Sequence, residues 1–218
     1  MELKEKRAIF LGDSITEGAA ASRKENIYHQ CVKRTLLLSE ALNCGIGGTR
    51  IARQRAASAE SVYDLDFNKR AEALKGSADL VVVFGGTNDF GHGDAPLGKW
   101  GDDTVYTFYG ACRQLFEKLC EKYEKDKIVV MTPLHRAGEK SPFGDGSKKI
   151  PSAPLRDYVN ALLRTTENVG IKTLNLWKSP KLNPNIAGNK KYFADGLHPT
   201  DEGHALIGKE LSDFLIKI

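Results

Sequence analysis

The amino-acid sequence predicts an α/β fold in which helices cover both faces of a parallel sheet. Two observations carry this reading. Short apolar runs, rich in β-branched residues and closed by turn formers, recur along the chain, and segments of helical periodicity separate them. Alternating strands and helices need crossover connections, which are right-handed and lay helices on either side of the sheet.

The first strand is expected at residues 7–11, which run into Gly12-Asp13. A helix over 27–38 follows, with Ile27, Cys31 and Leu38 near one face. Residues 40–44 form a shorter apolar run leading into Gly45-Ile46-Gly47-Gly48, and are taken as the second strand. Residues 80–84 are continuous in apolar side chains and form the third. A helix over 108–123 repeats apolar groups at Cys112, Leu115, Phe116 and Leu119, and 128–132 is the fourth strand. Residues 151–169 carry Leu155, Val159, Leu162 and Leu163 at helical spacing before a fifth strand at 172–177. The last helix starts near Asp201 and places Ala205, Leu206, Leu211, Phe214 and Leu215 along its length. The longest structureless stretches, 90–103 and 135–150, both follow strands, where long loops build pockets.

Composition narrows the function classes. At 218 residues without a linker or repeat, the chain is expected to form one domain, 1–218. Its net charge of +4 is spread along the chain, so a nucleic-acid partner is not expected. The apolar run at 8–11 is too short for a signal peptide. No stretch approaches the roughly 18–20 apolar residues of a membrane span, so the cytoplasm is the expected address. Cys31, Cys44, Cys112 and Cys120 lack C-x-x-C spacing and read as small hydrophobes in a reducing compartment.

In such sheets the loops leaving the carboxyl ends of the strands form the ligand crevice. After the first strand, Gly12-Asp13-Ser14-Ile15-Thr16-Glu17-Gly18 places a serine at a strand-to-helix turn. A serine hydroxyl is a weak nucleophile and needs a base within hydrogen-bond reach; taken alone, Ser14 is as well explained as a helix cap. Asp195-Gly196-Leu197-His198-Pro199 supplies a base with an acid to orient it, although alone it is equally a turn beside a solvated histidine. Donors for an oxyanion are offered by Asn43-Cys44-Gly45-Ile46-Gly47-Gly48-Thr49 and by Gly85-Gly86-Thr87-Asn88-Asp89. Each of these has a plain turn reading too, and their joint occurrence in four strand-end loops is what favours chemistry.

Together Gly12-Asp13-Ser14, Gly48 after Asn43, Gly86-x-Asn88-Asp89 and Asp195-x-x-His198 resemble the four blocks of the SGNH (GDSL) hydrolase superfamily, in order and spacing, from residue 8 to residue 204. The resemblance implies a flavodoxin-like three-layer α/β/α sandwich with a five-stranded parallel sheet in order 2-1-3-4-5. It also implies a serine ester hydrolase working through an acyl-enzyme. Ser14 would be the nucleophile, with Asp195 and His198 beside it, and Ser14, Gly48 and Asn88 would form the oxyanion hole. Gly45 and Gly47 compete with Gly48 for that role. There is no His-Glu-x-x-His and no Cys/His cluster at zinc spacing, so neither metal nor other cofactor is expected.

The long loops are rich in Gly, Asp and Lys rather than forming an apolar lid, which favours small or short-chain acyl esters such as O-acetyl groups on carbohydrates. A lipase, lysophospholipase or thioesterase acting on longer chains is the alternative. From another class stands a non-catalytic module binding a phosphate- or sugar-containing ligand, against which Gly12-Asp13-Ser14 lacks P-loop spacing and sets an acid beside any phosphate. Expected substrate contacts are His92, Phe90, Trp100 and His135, the last beside Arg136. Tyr28, Tyr106 and Phe143 are further aromatic candidates for a pocket wall or for anchoring loops. Lys99, Arg136, Lys140, Lys148 and Lys149 read as a solvated, mildly basic surface, and His29 and His204 as structural.

Overall fold

The β-branched runs become five parallel strands in the computed structural model, which describes residues 2–218: β1 (Arg7–Gly12), β2 (Glu40–Gly45), β3 (Leu80–Phe84), β4 (Ile128–Met131) and β5 (Lys172–Leu174). Their order across the sheet is β2-β1-β3-β4-β5, as the resemblance implied. Because side chains alternate across a strand, β1 sends Ile9 and Leu11 to one core layer and Ala8 and Phe10 to the other, and β3 divides its residues in the same way.

The first layer is covered by α3 (Phe67–Ala73), α5 (Phe108–Lys122) and α6 (Leu155–Val169). The second is covered by α1 (Ser14–Glu17), α2 (Tyr28–Leu36) and α7 (Asp201–Lys217). A short α4 (Thr87–Gly91) follows β3, so the loop expected from residue 90 begins with the end of a helix. Among the described residues no helix is long and apolar enough to cross a membrane.

Three departures from the sequence reading have local causes. The fifth strand stops at Leu174 because the Trp177 N–H turns to the Thr132 hydroxyl, 3.1 Å away, and the chain winds into a 3-10 turn over Leu176–Lys178. The helix expected from residue 151 begins at Leu155, after the extended residue Pro154. Helix α3 was not expected, since its buried face includes Asn68 and Arg70 beside Phe67 and Ala71 and so carries no clean apolar period.

The second layer also explains two histidines. Tyr28 lies edge-on to Phe10 and Phe84, with ring centroids 5.8 Å away in each case. It also lies parallel to His204 at 6.3 Å and edge-on to His29 at 5.5 Å. Burial pushes the pKa of both His29 and His204 down to about 4. Unfolded, each takes up its proton near 6.5; folded, only near 4. Unfolding therefore binds protons in that window, and stability falls as pH drops. Going from pH 7 to pH 5 is expected to lower the unfolding free energy by about 2 kcal/mol or more. The double variant His29→Gln/His204→Gln should flatten that slope in chemical denaturation, and an unflattened slope would place its origin elsewhere.

Candidate active site

The carboxyl ends of β1, β2 and β3 bring three of the four sequence blocks to one edge of the sheet; the fourth, residues 195–198, does not leave a strand as expected but reaches the same edge from the loop before α7. Asp13 caps α1, its Oδ1 accepting from the Ile15 N–H at 3.0 Å, and this sets Ser14 at the first helical position. The Ser14 hydroxyl lies 3.0 Å from His198 Nε2, and His198 Nδ1 lies 2.7 Å from Asp195 Oδ2. A carboxylate can only accept, so Nδ1 carries the hydrogen and Nε2 presents its lone pair to Ser14. Asp195 Oδ1 also accepts from the N–H groups of Leu197 and His198, at 2.9 and 2.7 Å. Burial acts against its charge, but these hydrogen bonds hold the Asp195 carboxyl below its ordinary pKa. The loop is closed by the Ala194 N–H on the His198 carbonyl at 2.9 Å and by Thr200, which caps α7.

The glycine loop after β2 is sorted by its hydrogen bonds. The Gly45 N–H goes to Asn43 Oδ1 at 2.8 Å and the Gly47 N–H to Glu17 Oε2 at 3.0 Å. The N–H groups of Gly48 and Ser14 have no protein acceptor among the described residues. Gly48 sits at φ 71°, where a Cβ would also meet the Tyr63 ring at 2.8 Å. Gly45 is required by close approach, since a Cβ there would fall 2.1 Å from the backbone nitrogen of Glu17. Asn88, buried in α4, donates one amide hydrogen to the Thr49 carbonyl at 3.0 Å and keeps its second. Its neighbour Asp89 accepts from the N–H groups of Ile51 and Ala52, at 3.0 and 2.8 Å, tying α4 to the same loop.

Behind this loop lies a residue that sequence reasoning missed. The buried guanidinium of Arg70, on α3, donates to the Gly12 carbonyl at 2.8 Å, to Thr49 Oγ1 at 2.7 Å and to the Cys44 carbonyl. One side chain thus joins the ends of β1 and β2 to the residue that holds Asn88. Burial lowers the Arg70 pKa to about 10, and burial pushes Asp13 up to about 6 even though the Ile15 N–H and the charge of Arg70 pull the other way. The available signal was an arginine one turn after Phe67, and nothing in its spacing separates it from a surface residue.

Beside the glycine loop opens a cleft of about 1460 Å³, walled by residues from 46–63, 92–98 and 145–153. The 46–63 wall, which carries a 3-10 turn at Ser61–Asp64, was not foreseen. The other two walls are joined by the Asp145 N–H on the Gly91 carbonyl at 2.9 Å. Of the four expected substrate contacts, His92 lines the cleft and the other three do not. Phe90 is fully buried and packs against Tyr158 with Arg136 over its face, so it belongs to the core. Trp100 is sandwiched by Tyr109 and Arg164 away from the cleft. His135 stacks on Trp177, with Nδ1 on Glu139 and Nε2 on the Trp177 carbonyl. Arg136 and Lys148 are buried rather than solvated, and Lys148 lines the cleft.

Fold and geometry place the chain among α/β sandwiches that carry a serine, a histidine and an aspartate in hydrogen-bonded sequence at the carboxyl edge of the sheet. The chain belongs to the GDSL-like lipase/acylhydrolase family, whose model matches residues 10–206. Two GDSL esterase/lipases of Arabidopsis thaliana are 25% identical over 134 residues and 29% identical over 136. Those alignments cover 61% and 56% of this chain but 42% and 55% of the relatives, so the chain spans about half the length of the curated relatives it matches. A solved protein from Lactobacillus plantarum is 30% identical with a TM-score of 0.83, over 99% of this chain and 98% of that one.

Arg70→Met would leave the Gly12 and Cys44 carbonyls and the Asp13 carboxyl without their cation. It is expected to cost about 3 kcal/mol of stability. Arg70→Lys, which cannot fork between several acceptors, should recover little of it. Denaturant midpoints matching the parent for both variants would show that the guanidinium does not hold the strand ends.

Proposed function

We propose that the chain is a serine ester hydrolase, and the observation that carries this reading is the continuous hydrogen-bonded sequence from the Ser14 hydroxyl through His198 to Asp195 beside unengaged N–H donors. As Ser14 Oγ attacks the ester carbonyl, His198 Nε2 takes its proton, and the carbonyl oxygen becomes an oxyanion. The N–H groups of Ser14 and Gly48 and the spare amide hydrogen of Asn88 receive that charge. The intermediate collapses, His198 returns the proton to the departing alcohol, and the acyl group is left on Ser14. Water then attacks by the same route, with His198 as base, and releases the acid. Asp195 holds the imidazole in the tautomer that leaves Nε2 free and stabilises its protonated form.

The substrates are carboxylic esters with a small acyl part, O-acetyl groups on carbohydrates among them. The cleft is far larger than an acetyl group, so we place the alcohol part there. The chemistry uses only side chains and backbone, with no metal. Four cysteines without disulfide partners suit a reducing compartment, and we place the activity in the cytoplasm.

A fluorophosphonate should label the parent at Ser14 and leave Ser14→Ala unlabelled. Ser14→Ala is expected to lose at least about 10⁴-fold in kcat on p-nitrophenyl acetate. Full-rate hydrolysis by that variant would overturn the assignment. Asn88→Ala should lower kcat by about 10²–10³-fold with a smaller change in KM, and a loss confined to KM would remove Asn88 from the oxyanion site. Asp195→Asn is expected to reduce the rate far more than the stability, as measured by parallel kinetics and denaturation.

A further inference from the structure

Lysine is almost never buried unless an anion or a set of acceptors accompanies it. Lys148 departs from that rule. Its residue is only 7% exposed, yet its ammonium has a single hydrogen bond, to the Gly93 carbonyl at 3.5 Å. No carboxylate reaches ion-pair distance of it among the described residues. The acids nearest to it bind backbone N–H groups, and two of them, Asp94 and Asp145, line the same cleft. Both oxygens of Asp89 hold the Ile51 and Ala52 N–H groups, Asp94 holds those of Arg55 and Ala56, and Asp145 holds that of Ser147. Up to two ammonium donors are therefore left over at the wall of the cleft.

A second donor points the same way. Arg50 Nη1 lies 2.9 Å from His92 Nδ1, and because a guanidinium can only donate, Nδ1 is the acceptor and Nε2 carries the hydrogen. Burial, with the charge of Arg50, lowers the His92 pKa to about 4, so this ring stays neutral with a fixed tautomer. Its Nε2–H has no acceptor among the described residues, and His92 lines the same cleft. Arg50 itself is fixed by Ser58, the Tyr63 carbonyl and Asp64, so it sets the ring rather than competing for a ligand.

We infer that the cleft selects esters whose alcohol part carries an anionic substituent, a carboxylate or a phosphate, received by the Lys148 ammonium with the His92 Nε2–H as a neutral second donor. The inference rests on the ester-hydrolase reading and specifies its substrate. The apolar side chains of Val62, Tyr63 and Ile150 on the same walls would flank the carbon skeleton between the ester and the anion.

The test compares 4-acetoxybenzoate with its methyl ester, and 4-acetoxyphenyl phosphate as the phosphate arm. Intrinsic differences between the esters cancel when the ratio of kcat/KM, anionic over neutral, is compared between proteins. That ratio should fall at least tenfold in Lys148→Met, mainly through KM, and be largely kept in Lys148→Arg. Which anion loses more identifies the substituent. Binding of 4-hydroxybenzoate to Ser14→Ala, followed by calorimetry, should weaken by a similar factor on adding Lys148→Met and also as salt is raised. An unchanged ratio in a folded Lys148→Met, or no salt-sensitive binding in the calorimeter, would overturn the inference. Failure of the parent to hydrolyse even the methyl ester would instead remove the ester-hydrolase reading, and the calorimetric arm would still decide the anion site.

Discussion

The buried guanidinium of Arg70 ties the ends of β1 and β2 together behind Ser14. A parallel sheet ends in backbone carbonyls that the next strand no longer satisfies, and here those ends must also sit close together to make a site. Arg70 meets the Gly12 and Cys44 carbonyls and the Thr49 hydroxyl from behind, in a geometry that only a planar fork of donors can serve. Its charge is set against Asp13, the acid that caps the helix carrying Ser14. The same ion therefore fixes the start of α1 and the loop that receives Asn88. A polar core behind Ser14 is costly to desolvate, and removing its cation would withdraw one partner at once from the Gly12 and Cys44 carbonyls and from the Thr49 hydroxyl.

The order of the strands does the remaining assembly. With β1 flanked by β2 and β3, the loops bearing Ser14, Gly48 and Asn88 leave adjacent strands at the same edge, a fixed ladder spacing apart. The His198 loop comes from outside the sheet, immediately before α7. It is held by its own short bridge between Phe193 and Pro199 and by the Ala137 N–H on the Gly196 carbonyl. Ser14, Gly48 and Asn88 are thus placed by rigid strand ends, while His198 rides on a separately braced loop. Distance along the chain has no bearing on how close the groups come.

Most of the sheet was legible in the sequence because buried strands are written as continuous apolar runs, and residues 80–84 leave no other reading. The block order likewise singled out Ser14, His198 and Asp195, which the fold joins by hydrogen bonds. What could not be read was anything whose partner is polar and distant. Helix α3 hides its period behind Asn68 and Arg70, and β5 ends early for a single hydroxyl on Thr132. Lys148 and Lys149 are adjacent and identical in type, yet one is buried in the cleft wall and its neighbour exposed. Residue type and spacing carry hydrophobic burial well. They carry a polar side chain's partner poorly, because that partner is fixed only once remote segments have met.

The five histidines show how completely partners decide chemistry. His29 and His204 lie in the layer around Tyr28, where burial keeps them uncharged and away from solvent. His135 has Glu139 at one nitrogen and the Trp177 carbonyl at the other, so neither edge faces a hydroxyl. His92 has a donor at Nδ1 and is held as a neutral N–H donor. Only His198 combines an acceptor at Nδ1 with a hydroxyl at Nε2, the one combination of the five that leaves a lone pair facing the Ser14 hydroxyl. What sets His198 apart is the polarity of the two groups at its edges. Burial alone does not mark it, since the most deeply buried imidazoles of this chain are the least able to act.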